Sequence, residues 1–408
     1  MGGASGGLGP RGDTFGSGYY DLGEYRRAVS GASLEAQVWF DRGLNWCYAY
    51  NHAEAVNCFR RAAELEPGCA MAHWGHAYAA GCNYNKPWEA FLPEEREQAL
   101  GDAYAASRRA AALVASGARV SAAEAALISA LEVRYQQPLG PDGTPFQAWN
   151  DAYAAAMRQV HAAHADDPDV CALFAEALIN RTPWQLWDLP TGLPKDGADT
   201  IEAQRVLEEA IARREAAGKT AHPGLLHIYI HTMEMSPTPE RALRAADALR
   251  GLVPDAGHLE HMASHIDVLC GNYHDSLVAN DSAMLADDRF YSRESGAQFY
   301  TLYRCHNIHF KLYSAMFLGQ LQPALSAAKA MTAAVSEELL CVELPPMADW
   351  LEGFLSMKVH ALIRFGRWQD VLAEPLPHDP ELYCVTTAML RYGRGVALAA
   401  LGRVAEAE

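Results

Sequence analysis

Residues 39–67 read "WFDRGLNWCYAYNHAEAVNCFRRAAELEP". Trp39, Gly43 and Trp46 are spaced by four and three, and so are Ala55, Phe59 and Ala62. Steps of three and four return to one side of a helix. The stretch therefore predicts two short helices packed face to face. Asn45, Tyr48 and Asn51 flank the turn as structural residues, and Pro67 closes the pair.

Outward from this unit the pattern continues. "REQALGDAYAASRRAAALVASG" and "TIEAQRVLEEAIARREAAG" are Ala-rich with helical apolar spacing. Alternating β-branched runs do not occur over any useful window. Breaks are short and carry Gly, Pro or Asp: "EPG" at 66–68, "DDP" at 166–168, "VPDAG" at 253–257. The chain reads as all-α, with about eight to ten helix pairs.

The large, small and aromatic positions of 39–67 resemble the tetratricopeptide-repeat (TPR) pattern. Looser copies of its mid-repeat turn follow: "VLCGNYHDSL" at 268–277, "MFLGQLQPAL" at 316–325, "IRFGRWQDVL" at 363–372 and "AALGRVAEAE" at 399–408. Their glycines, Gly271, Gly319, Gly366 and Gly402, lie 48, 47 and 36 residues apart. Residues 100–220 fit only as generic helix pairs. The resemblance implies a TPR-like α-solenoid, a curved superhelix whose first helices line a concave groove. Residues 1–18, "MGGASGGLGPRGDTFGSG", read as a flexible Gly-rich tail. Residues 19–408 read as one helical-repeat domain. It stops inside the second helix of its last repeat, so a capping helix is expected beyond it.

Composition narrows the function classes. The 33 basic against 50 acidic residues give a net charge of −17, which argues against a nucleic-acid-binding face. No run approaches the roughly 18 apolar residues of a membrane span. Nine dispersed cysteines without a C-x-x-C pair suit a reducing cytoplasm.

The chemistry lies in the histidines. His258, His261 and His265 lie 13, 10 and 6 residues before Gly271; His306, His309 and Tyr313 hold the same offsets from Gly319; His360 lies 6 before Gly366. With Pro237 in the glycine's place, His227, His231 and Glu234 lie 10, 6 and 3 before it. These offsets trace one face of three consecutive first helices, the face that in the resembling family lines the groove. Histidines one turn apart can share an ion. His227, His231, His258, His261, His265, His306 and His309 are therefore candidate metal ligands, enough for two ions with open positions. "HIYIH" is not the zinc-protease motif. A peptide-binding groove without metal is the competing reading.

Glu234 and Tyr313 are candidate catalytic groups. Glu176 and Asn180, one turn apart, and Trp184 and Trp187 in a Pro-rich loop are candidate substrate contacts, with the loop as a lid. Glu260, Asp267 and Asp281 are candidates to orient imidazoles. His73 and His76 fall on the packing side. An imidazole-rich ligand set favours copper, then iron, with zinc as a third choice. The resulting expectation is a dinuclear oxidoreductase acting on a small molecule with dioxygen. The alternatives are a TPR adaptor with a peptide or protein partner, and a zinc hydrolase or lyase.

Overall fold

The computed structural model describes residues 18–139, 145–293 and 299–408. Residues 1–17 of the expected tail lie outside them. Fourteen helices come first: α1 Leu34–Tyr48, α2 His52–Leu65, α3 Ala70–Ala80, α4 Pro93–Ala115, α5 Ala122–Arg134, α6 Phe146–Ala163, α7 Pro168–Ile179, α8 Thr200–Ala216, α9 Pro223–Met233, α10 Leu243–Leu249, α11 Gly257–Cys270, α12 Tyr273–Tyr291, α13 Tyr300–Phe317 and α14 Leu321–Ala334. Six shorter or terminal helices follow: α15 Glu337–Leu340, α16 Met347–Leu355, α17 Met357–Arg364, α18 Trp368–Ala373, α19 Cys384–Ala400 and α20 Val404–Ala407. The strand content among the described residues is one two-residue hairpin, Trp187–Asp188 with Leu193–Pro194. The all-α expectation holds.

Local chemistry sets the helix starts. Ser33 caps α1 by accepting from the Ala36 amide, and Asn51 caps α2 by accepting from Glu54. Ser121 and Glu124 form a reciprocal capping box on α5. These side chains satisfy amide donors that a helix start leaves unpaired. At the turns marked in the sequence, Gly271, Gly319, Gly366 and Gly402 all have φ between 63° and 80°, the left-handed region in which glycine is favoured.

Consecutive helices pack as antiparallel pairs, α1 on α2 through α13 on α14. The architecture is the TPR-like helix-pair array expected above. The odd-numbered helices form an inner layer, with α1 on α3, α3 on α5, α7 on α9, α9 on α11 and α11 on α13. Additionally, α1 touches α9. That contact closes the inner layer between α1 and α9, and the histidine face is buried. The expected open groove is absent at the histidines: His227 and His261 have 0% exposure.

The first pair shows how small residues set the spacing. Phe59 of α2 is fully buried, and its ring fills the space above Gly43 of α1 and Gly75 of α3. A methyl group at position 75 would run into that ring. Gly75→Ala should therefore destabilise the protein by about 1–3 kcal/mol through overpacking, seen as a lower urea midpoint with unchanged slope. An unshifted midpoint would show that Phe59 can move aside freely.

Candidate metal centre

Three neighbouring inner helices carry the histidines. Helix α9 begins at His222, whose Nδ1 accepts from the Leu225 amide, followed by Pro223 at the first helical position. His227 and His231 then sit one turn apart on α9. His258, His261 and His265 follow one face of α11, and His306 lies on α13. Two trios result, His227/His231/His258 and His261/His265/His306. In each, one nitrogen per ring lies within 4.8 Å of the others. The trios are adjacent: the His231 and His265 rings are 6.1 Å apart, and the His258 and His261 rings 6.2 Å.

The partners of the outer nitrogens fix where the lone pairs point. His227 Nδ1 lies 2.6 Å from the Tyr48 carbonyl, which only accepts, so Nδ1 carries the hydrogen. His261 Nδ1 lies 2.7 Å from Asn280 Oδ1. The Asn280 amide nitrogen donates to the Ser276 carbonyl, which orients that oxygen toward the ring. Glu234 uses both carboxylate oxygens: Oε1 is 2.7 Å from His231 Nδ1, and Oε2 is 2.5 Å from His265 Nδ1. The Nε2 lone pairs of His227, His231, His261 and His265 therefore all turn inward.

In the second trio inward lone pairs face one another, whereas in the first His258 Nδ1 has no partner, so its Nε2–H can donate to His227 Nε2. The Nε2 atoms of His261 and His265 stand 2.9 Å apart, and His306 Nε2 is 3.5 Å from His265 Nε2. In the first trio, His227 Nε2 is 3.1 Å from His258 Nε2, and His231 Nε2 is buried without a hydrogen-bond partner. Two lone pairs facing at 2.9 Å repel unless a proton or a metal ion lies between them. Two nitrogens on one tetrahedral ion, at bonds of about 2.0 Å, stand about 3.3 Å apart. The trios are close to that spacing.

Burial disfavours the charged form of His227, His231, His258, His261 and His306. His227, His258 and His261 are held well below the usual imidazole range, first by burial and then, in each, by adjacent histidines. Burial and His265 bring His306 down to about 3. Burial pushes the Glu234 carboxyl up, but His265 and His231 outweigh it and hold it ionised. Neutral imidazoles backed by a carboxylate or carbonyl are the form in which histidine binds metal.

Aromatic rings wall the first trio. The Tyr50 ring lies 4.5 Å from His227 and stacks on His231 and His258. Tyr84 lies 5.0 Å from both His231 and Trp184. Tyr303 lies 4.5 Å from His258. Tyr50 and Tyr303 also line a cleft of about 690 Å³, whose outer walls include Arg60, Lys86, Phe91 and Trp350. Phe310 covers the second trio, 4.7 Å from both His261 and His306.

The other singled-out residues divide. Trp184 is half exposed at the rim of the first trio, with φ of 60°, unusual for a bulky residue. Glu176 on α7 and Asn180 just past its end are buried; Glu176 accepts from Tyr78, and burial raises its pKa. Trp187 is a packing residue, its indole nitrogen donating to the Thr232 carbonyl at 2.7 Å. His309 joins neither trio, packing near Phe354 and Tyr313. Tyr313 is partly exposed and lies against Phe317. Three further expectations need correction. Asp267 pairs with Arg250, and Asp281 pairs with Lys311. Burial raises Glu260 to about 7, and it faces the Gly251 amide. None of the three orients a trio ring. His73 and His76 lie away from the trios, with His76 accepting from Arg60. The outer partners are Glu234, Asn280 and the Tyr48 carbonyl. No local motif marks the last two, because one is on α12 and the other is backbone.

No known family model and no curated protein matches the chain. Among solved structures, the APC/C hetero-tetramer Cut9-Hcn1 is similar over 94% of this chain and 68% of its own, with 13% identity and a TM-score of 0.30. The P58(IPK) TPR domain is similar over 91% of this chain and 90% of its own, with 14% identity and a TM-score of 0.21.

Neutral buried rings make stability fall in acid. For a histidine whose folded pKa is depressed, stability is complete above the unfolded value, about 6.5. It is lost as pH drops below that, because only the unfolded chain takes up protons. Asp41, Glu260 and Asp287, each raised to about 7 by burial, and Glu176 and Asp267, also raised by burial, act in the opposite direction but are fewer. Chelator-treated protein should therefore show a lower urea midpoint at pH 5 than at pH 7.5. An equal or higher midpoint at pH 5 would mean that the rings are already charged in the fold.

Proposed function

We propose that this chain is a metalloenzyme that binds two transition-metal ions, one in each histidine trio, and acts on a small molecule. The observation that carries the reading is the pair of inward lone pairs on His261 and His265, 2.9 Å apart, whose outer nitrogens already have acceptors. Neutral imidazole ligands favour copper, then iron, with zinc third. Copper or iron held this way supplies one-electron chemistry and open positions for substrate or dioxygen.

The residues around the trios have matching tasks. The cleft lined by Tyr50 and Tyr303 gives a small molecule a route to the edge of the first trio. Tyr84 and the Trp184 loop cover His231 and exclude water. Glu176 on α7 and Asn180 at its end are buried polar groups within reach of Tyr78 and Tyr50, and would give a polar substrate its hydrogen-bonding wall. Glu234 orients a ring in each trio and has no oxygen left over, so its role is positioning. Tyr313 and His309 have no part in the reading. Among the described residues no helix is long and apolar enough to cross a membrane, and a cytoplasmic setting belongs to this proposal.

A second reading is a partner-binding helix array, with the cleft taking a peptide or a protein segment. The same cleft favours it, since Arg60, Lys86, Glu94 and Asp102 give its walls charges of both signs. Elemental analysis separates the two. The enzyme reading expects close to two equivalents of copper or iron. His306→Ala should lose about one equivalent and His309→Ala none. Protein folded and free of bound metal after expression in metal-supplemented medium would leave the partner-binding reading. A zinc-only protein, active without dioxygen, would replace oxidation with hydrolysis or elimination.

A further inference from the structure

The two trios share one carboxylate. Glu234 follows the last residue of α9 and caps that helix, so its side chain leaves the α9 axis and reaches toward α11. It is buried, at 8% exposure. Its Oε1 meets His231 Nδ1 of the first trio, and its Oε2 meets His265 Nδ1 of the second. Each contact holds a hydrogen on Nδ1 and so frees Nε2 as a ligand. The other outer partners, Asn280 and the Tyr48 carbonyl, each serve one ring of one trio and carry no net charge.

We infer that Glu234 couples the two metal sites: it keeps a ligand of each trio in the binding tautomer and is their shared counter-charge. This rests on the two-metal reading above. Two consequences follow from the chemistry of the group. First, two cations drawing on one negative charge in a buried site repel, so they load in two steps, the second weaker than the first. Second, a glutamine at this position has one acceptor oxygen and one donor nitrogen. Its oxygen can hold the hydrogen on only one of the two Nδ1 atoms. Its amide group donates to the other, which moves that ring's hydrogen to Nε2 and removes it as a ligand. Glu234→Gln is almost the same size, yet it can serve only one trio.

The test titrates metal-free full-length protein with cobalt(II), whose visible bands report histidine coordination. Circular dichroism and the urea midpoint serve as fold controls. Wild type is expected to take two equivalents in two resolved steps, with affinities at least tenfold apart. Folded Glu234→Gln should take one. If wild type takes fewer than two, the two-metal reading fails, and the coupling fails with it. If wild type takes two but folded Glu234→Gln also takes two, or takes none, the coupling alone is overturned. Should Glu234→Gln not fold, His258→Ala and His306→Ala each leave one trio with the whole of Glu234. The remaining site should then bind cobalt(II) at least tenfold more tightly than the second equivalent of wild type, and equal affinity would overturn the coupling.

Discussion

Four donors converge on the carboxylate of Asp169, at the start of α7. Tyr48 reaches it at 2.5 Å, Arg27 at 2.6 Å, Tyr25 at 2.8 Å and His222 at 3.1 Å. Burial alone would push this carboxyl up, but His222, Arg27 and Tyr48 together hold it far below the usual range. A buried charge persists only when it is paired and hydrogen-bonded in this way. The donors come from the N-terminal segment, the end of α1 and the cap of α9. One side chain therefore pins three parts of the chain to a fourth, and α1 is held against α9. Tyr48 is thereby placed so that its carbonyl meets His227. The closed interior, and with it the first trio, depends on this node.

Closure decides the electrostatics. In an open groove the same histidines would be hydrated and would titrate near neutral pH. Inside the array burial disfavours charge on His227, His258 and His261, and Glu234 is a carboxylate that touches His231 and His265. Such an interior disfavours a bare proton load, and under the two-metal proposal a soft or borderline cation would exchange its hydration for bonds to nitrogen. The tyrosine and tryptophan rings around the first trio keep the surroundings apolar, and the phenolic groups remain protonated there: burial holds Tyr50 and Tyr303 well above their ordinary range.

The helix pairs were legible because they follow from local spacing. The steps in 39–67, the turn glycines and the caps all act within a few residues. The histidine face was legible for the same reason, since offsets from each glycine place a residue on one side of its own helix. What the spacing does not carry is which helix lies opposite. His309 shares its offset with His261, yet it packs against Phe354 and Tyr313, outside the trios. Tyr313 shares the offset of His265 and reaches the surface. Asn280 belongs to an outer helix, and only packing of α12 on α11 brings it to His261. Glu234 was legible as a member of the face, but its double contact depends on α9 ending just before it. The N-terminal segment, which carries Tyr25 and Arg27, shows no periodicity, and its role as a strap is purely tertiary.

Helix-pair arrays commonly tolerate the gain or loss of a unit, because each pair contacts only its neighbours. The contact between α1 and α9 removes that freedom. An additional pair between α3 and α7 would displace α1 from α9 and carry the Tyr48 carbonyl away from His227. A missing pair would leave Asp169 without the geometry to receive both Tyr48 and His222. The number of units before α9 is therefore fixed by closure. Change in length during descent is expected to be confined to the units beyond α17, because α14, α16 and α17 still pack on α13 and Trp350 walls the cleft.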